Sequence, residues 1–175
     1  IMASINRRLN FLAKKELFST ALSSALFLRI GAYPTDTHTK DSRSLLWSLK
    51  RLASDKALLI FPEGTRSKKG SLQKAKPGVG YLALRSQAPI LPVGITGTEN
   101  IPGIWRVGFP FSTVNVKIGE PFTIPHIEGT PSAPLLQHVT DMIMDRVSQL
   151  LPKEYRGYYT PQFTDIDSHR PARPT

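Results

Sequence analysis

Ala57-Leu58-Leu59-Ile60-Phe61 is an unbroken apolar run, followed at once by Pro62-Glu63-Gly64-Thr65-Arg66-Ser67. Consecutive apolar residues of this kind read as a strand buried on both faces, the pattern of a parallel sheet. Pro62 has no N–H to give to a ladder and stops the strand. Gly64 admits positive φ, which lets the backbone turn sharply and approach a ligand closely. Arg66 offers a planar fork matched to phosphate oxygens, and Lys68 and Lys69 add point charges. Glu63 can accept a hydroxyl hydrogen bond or hold Arg66 in place. Two readings stand side by side here. One is a phosphate-binding loop; the other is a solvated turn with an ordinary Glu–Arg surface pair.

Upstream, residues 6–30 read as one helix carrying Leu17, Leu22, Leu26 and Ile30, with Gly31 ending it and Ala32-Tyr33-Pro34 extended. Asp41 or Ser42 caps a further helix whose apolar face is Leu45, Leu49, Leu52 and Ala53. Downstream, Pro77 suits the first turn of a helix reaching about Gln87, and Ile90 to Thr96 reads as another buried strand. The segment 97–112 is unusually greasy for a loop. Trp105, Phe109 and Phe111 read as core of that loop, with an acyl pocket or a membrane interface as the alternative. Val114 to Ile118 alternates like a strand, and Ala133 to Leu151 has helical spacing. The sum is an α/β domain with a mainly parallel central sheet flanked by helices. Ligands of such sheets collect beyond the carboxyl ends of the strands, where the loop after Phe61 falls.

Composition narrows the chemistry. The 175 residues are 40% hydrophobic and 21% charged, a globular balance, and the absence of cysteine excludes disulfides, thiolate metal sites and cysteine nucleophiles. Residues 1–39 hold five basic and two acidic groups, 40–76 ten and three, and 77–175 eight of each, so the net +10 is concentrated in the middle of the chain. That points to one cationic face and an anionic partner. Aromatic residues are not interleaved with the basic cluster, which argues against nucleic acid. The apolar stretch Leu17 to Leu28 is too short and too rich in serine and threonine to span a bilayer. No two histidines are three or four apart, so no metal site is expected. Gly78-Val79-Gly80-Tyr81-Leu82-Ala83 follows a lysine-rich loop rather than a strand, which fits a helix packed closely on the sheet better than a dinucleotide fingerprint.

The segment Phe61-Pro62-Glu63-Gly64-Thr65-Arg66-Ser67 resembles the third sequence block of the lysophosphatidic acid acyltransferase family. Ala13-Lys14-Lys15-Glu16-Leu17 resembles the family's AKKEL stretch, Ile90-Leu91-Pro92-Val93 its fourth block, and Gly119-Glu120-Pro121 its late GEP-like turn, covering about residues 7–125. The resemblance implies transfer of an acyl group from acyl-CoA or acyl carrier protein to the hydroxyl of 1-acylglycerol-3-phosphate, with no cofactor. It implies a substrate-binding set of Glu63, Gly64, Thr65 and Arg66, with Lys14 arriving from a helix. Arg66 and Lys14 would clamp the acceptor phosphate while Glu63 positions it. An anionic membrane surface is the implied setting, on the cytoplasmic face, met by Lys68, Lys69, Lys74 and Lys76 or through an upstream anchor.

Two departures accompany the match. The family's HxxxxD block is missing: five residues after His38, His126, His138 and His169 stand Arg43, Pro131, Ile143 and Pro174. The expectation is an acyltransferase domain over 1–159 that lacks its catalytic block, with His and Asp upstream of Ile1, a disordered tail over 160–175, and no activity in residues 1–175 alone. In Gly31-Ala32-Tyr33-Pro34-Thr35-Asp36-Thr37, Thr37 stands where the family has a phosphate-contacting Arg, and Lys40 is the nearby candidate to replace it. The alternatives are acyl transfer to glycerol-3-phosphate or another lysophospholipid, and a non-catalytic module for anionic lipid or nucleic acid.

Overall fold

Leu9 pairs on one side, Ala13 on the other and Phe11 on both, and that pairing makes the first apolar stretch a strand. In the computed structural model, which describes residues 7–36, 41–67, 70–98 and 113–161, strand β1 (Leu9–Lys14) is central in a parallel sheet. It lies between β2 (Ala32–Thr35) and β3 (Ala57–Leu59). Phe11 faces Ala32 on one side and Leu59 on the other. The single helix expected over 6–30 is therefore corrected: β1 is followed by a 3-10 turn at Lys15–Phe18, and only α1 (Ala21–Arg29) is α-helical. Strand pairing on two sides outweighs local helical spacing. Helix α1 starts where Thr20 and Ser23 cap each other's backbone N–H groups. Its Leu22 and Leu26 are exposed, Leu22 at 83%.

Helix α2 (Ser42–Ala53) is capped by Asp41, as its sequence predicts, and packs on β2 and β3. Strand β3 is shorter and more open than expected. It covers three residues, all half-buried, and Phe61 is 58% exposed. An edge position explains this, since β3 pairs with β1 alone among the described residues.

Helix α3 (Gly78–Ser86) begins after Pro77. Strand β4 is confined to Val93–Thr96 and runs antiparallel to β5 (Asn115–Ile118) in a separate pair. Ile90, expected within that strand, makes an isolated bridge with Phe122, because Pro92 interrupts the run. Helix α4 (Ala133–Gln149) closes on α3 over a core of Ala83, Leu84, Ile124, Val139 and Ile143. The glycine-rich start of α3 packs against helices, Gly78 beside Leu45 of α2 and Gly80 on α4, where a Cβ would stand 2.4 Å from the Leu136 carbonyl oxygen. The greasy segment with Trp105, Phe109 and Phe111 lies outside the described residues, as do Lys40, Lys68, Lys69 and the tail beyond Pro161.

Candidate functional site

Strand order reverses at β1: the chain leaves it for β2 on one side, while β3 pairs on the other. Sheets of this kind open a ligand crevice outside the carboxyl ends at such a reversal. Lys14 ends β1, opposite Thr35, and the Phe61–Lys76 loop leaves β3 on the same edge. Lys14 is thus delivered by a strand, which corrects the helical expectation, and its side chain is exposed.

The loop is built by its own backbone. Gly64 N–H donates to the Phe61 carbonyl at 3.0 Å, and Gly64 takes φ +68, which favours glycine. The aliphatic stem of Lys76 lies over Gly64, close enough that a Cβ there would come within 3.2 Å of it. Lys76 N–H donates to the Pro62 carbonyl at 2.9 Å, joining the outgoing and returning limbs.

Glu63 supplies the second tie. Its Oε2 accepts the Gln73 N–H at 2.7 Å, and Gln73 Nε2 donates to the Arg66 carbonyl at 3.3 Å. Burial pushes the Glu63 carboxyl above its ordinary value, partly offset by the Gln73 N–H. That geometry contains no Glu63–Arg66 surface pair, the contact that the solvated-turn reading expects. Glu63 grips backbone, and holds Arg66 only through Gln73. Thr65 and Arg66 are exposed, and the Arg66 guanidinium makes no hydrogen bond or ion pair among the described residues. A guanidinium on a fixed backbone, with no partner among the described residues, has the fork geometry that matches phosphate oxygens.

On the β2 side, Asp36 pairs with Lys15 at 2.6 Å, and its N–H donates to Asp41 at 3.2 Å. Lys15 is accordingly held above its ordinary pKa by the hydrogen bond and charge of Asp36. Thr37 lies outside the described residues. A cavity of about 300 Å³ lies at the amino ends of the strands, lined by Arg8, Asn10, Tyr33, Trp47 and Arg51 among others. It is on the opposite edge, and none of the predicted site residues lines it. No group of three metal-ligating side chains occurs among the described residues. Sequence reading missed Gln73, whose only signal is a position ten residues from its partner.

Comparison with known proteins adds an independent line. The model of a family described as acyltransferase matches residues 1–96. A 1-acyl-sn-glycerol-3-phosphate acyltransferase of Bacillus subtilis is 26% identical over 143 residues, covering 82% of this chain and 69% of that protein. One from Streptococcus pneumoniae is 28% identical over 119 residues, covering 67% of this chain and 42% of the relative. The crystal structure of the 1-acyl-sn-glycerophosphate acyltransferase PlsC from Thermotoga maritima superposes with a TM-score of 0.55 at 26% identity. That match covers 81% of this chain and 56% of the other. The chain therefore spans only part of each relative's length.

Proposed function

Because the chain belongs to the acyltransferase family, we propose that its protein acylates the free hydroxyl of 1-acylglycerol-3-phosphate from an acyl thioester, giving phosphatidic acid. The observation that carries this reading is the Phe61–Ser67 segment, fixed at the carboxyl edge of the sheet with its guanidinium unpaired among the described residues. Names of relatives along most of the chain support it.

In this reading Arg66 grips the acceptor phosphate, and Lys14 adds a second positive charge from the end of β1. Glu63 and Gly64 set the backbone that presents Thr65 and Arg66. Holding the acceptor in place raises the effective concentration of its hydroxyl at the thioester. The hydroxyl oxygen bonds to the acyl carbon, the carbon–sulfur bond breaks, and the hydroxyl proton ends on the departing thiol. The base for that proton is not an HxxxxD pair within these 175 residues. The acyl donor is acyl-CoA or acyl carrier protein, and no cofactor takes part.

The protein works at an anionic membrane surface, on its cytoplasmic face. A formal charge of +10 supports this, each basic group near such a surface being worth about 1 kcal/mol. No helix among the described residues is long and apolar enough to cross a membrane.

The test is thiol release by the intact protein from an acyl thioester with a panel of acceptors. Release is expected to be greatest with 1-acylglycerol-3-phosphate. Equal release with a lysophospholipid that lacks a terminal phosphate contradicts the reading.

A further inference from the structure

The returning limb of the phosphate loop is held from outside by the far end of the chain. Leu72 N–H donates to the Tyr155 carbonyl at 2.9 Å, and Tyr158 N–H donates back to the Leu72 carbonyl at 2.9 Å. The approach is tight enough that a Cβ on Gly157 would stand 2.2 Å from the Leu72 oxygen. Deeper in, Tyr159 is only 7% exposed and packs with Ala75 and Met144. Its Oη accepts the Ala75 N–H at 3.0 Å and donates to Asp141 Oδ1 at 3.0 Å. Gln137 Nε2 donates to the same Asp141 oxygen at 2.9 Å and to the Ala75 carbonyl at 3.4 Å. Side chains from α4 and from the last turn thus satisfy both backbone polar groups of Ala75.

We propose that Tyr159, acting through Ala75, is a positioning residue of the acceptor site. With Asp141 and Gln137 it latches residues 71–76 in the place from which they brace the Pro62–Arg66 turn. The transmission is short. Gln73, two residues before Ala75, ties Glu63 and the Arg66 carbonyl; Lys76, the next residue, ties Pro62. Gln137, Asp141 and Tyr159 lie beyond the 1–96 match, and sequence spacing does not point to them. Burial pushes the Tyr159 phenol up to about 12, so the latch keeps its proton throughout the neutral range. The inference rests on the acceptor reading of Arg66 given above.

Tyr159→Phe in the intact protein removes only Oη. Acceptor KM is expected to rise about fivefold, the scale of one lost hydrogen bond, with donor KM and kcat unchanged. Amide hydrogen exchange at residues 71–76 is expected to quicken more than in α3 or α4. Val139→Ala, which loosens the α3–α4 core without touching the loop, is the control at matched loss of Tm. An acceptor KM that moves no more in Tyr159→Phe than in that control overturns the positioning role, as does unchanged exchange at 71–76. Exchange reads the latch independently of function. Failure of the acceptor reading is separately visible as an unchanged acceptor KM in Arg66→Ala.

Discussion

Glu63 and Gln73 close the Phe61–Lys76 loop on itself, carboxylate to backbone N–H at 2.7 Å. Because burial raises the Glu63 carboxyl above its ordinary value of 4.5, the protonated form is the one favoured by folding. Its contribution to stability is complete below 4.5 and is lost as pH rises through the folded value. Glu63→Gln keeps an acceptor for Gln73 without a charge. Melting curves should show the variant equal to the parent in acid, then increasingly more stable as pH rises through that window. A variant equally destabilised at every pH contradicts this account.

Asp41 is the opposite case. Burial by itself raises its carboxyl, but donation from the Ser44 and Asp36 backbone and the Thr35 and Ser44 hydroxyls outweighs it, and the net shift is below 3.8. The ionised form is therefore favoured by folding, and its stabilisation is present above 3.8 and lost as pH falls through the folded value. As the cap of α2, Asp41→Ala should cost about 1 kcal/mol near neutrality. Urea unfolding at neutral and strongly acidic pH checks this, the cost shrinking in acid. A cost that is the same at both pH values argues against it.

Gly80→Ala sets helix propensity against packing. Alanine in a helix gains about 1 kcal/mol over glycine. Here its Cβ would stand 2.4 Å from the Leu136 oxygen and 2.7 Å from Thr140 Oγ1, so α3 and α4 must separate. A net loss of about 1–3 kcal/mol is expected on unfolding in denaturant. Equal or higher stability would mean that the two helices do not meet at this glycine.

Residues 1–175 contain no histidine followed five residues later by aspartate. A protein of these residues alone is expected to release no thiol from an acyl thioester above the uncatalysed rate, even with acceptor present. Robust release would require another base within the chain.

What the sequence disclosed divides by range. Asp41 as a cap, Pro77 before α3 and the extended Ala32–Pro34 piece are local matters of capping and turn chemistry, and they are legible residue by residue. Leu9–Lys14 was not. Its spacing fits a helix, and only pairing with residues 32–35 and 57–59 makes it the central strand. The same long-range term left β3 half-buried, since burial on both faces depends on neighbours that the five apolar letters do not name. At the site, Glu63, Gly64, Thr65 and Arg66 are contiguous and readable. Gln73 and Tyr159 are not, because their bonds span ten and 84 residues.

The most direct measurement is the steady-state kinetics of Arg66→Ala in the full-length protein, with 1-acylglycerol-3-phosphate varied at saturating acyl donor. Removing the guanidinium should raise acceptor KM at least about tenfold, by the loss of a charge-assisted hydrogen bond, with the donor KM unmoved and Arg66→Lys in between. An acceptor KM and kcat both equal to those of the parent would contradict the assignment of this loop to the acceptor phosphate.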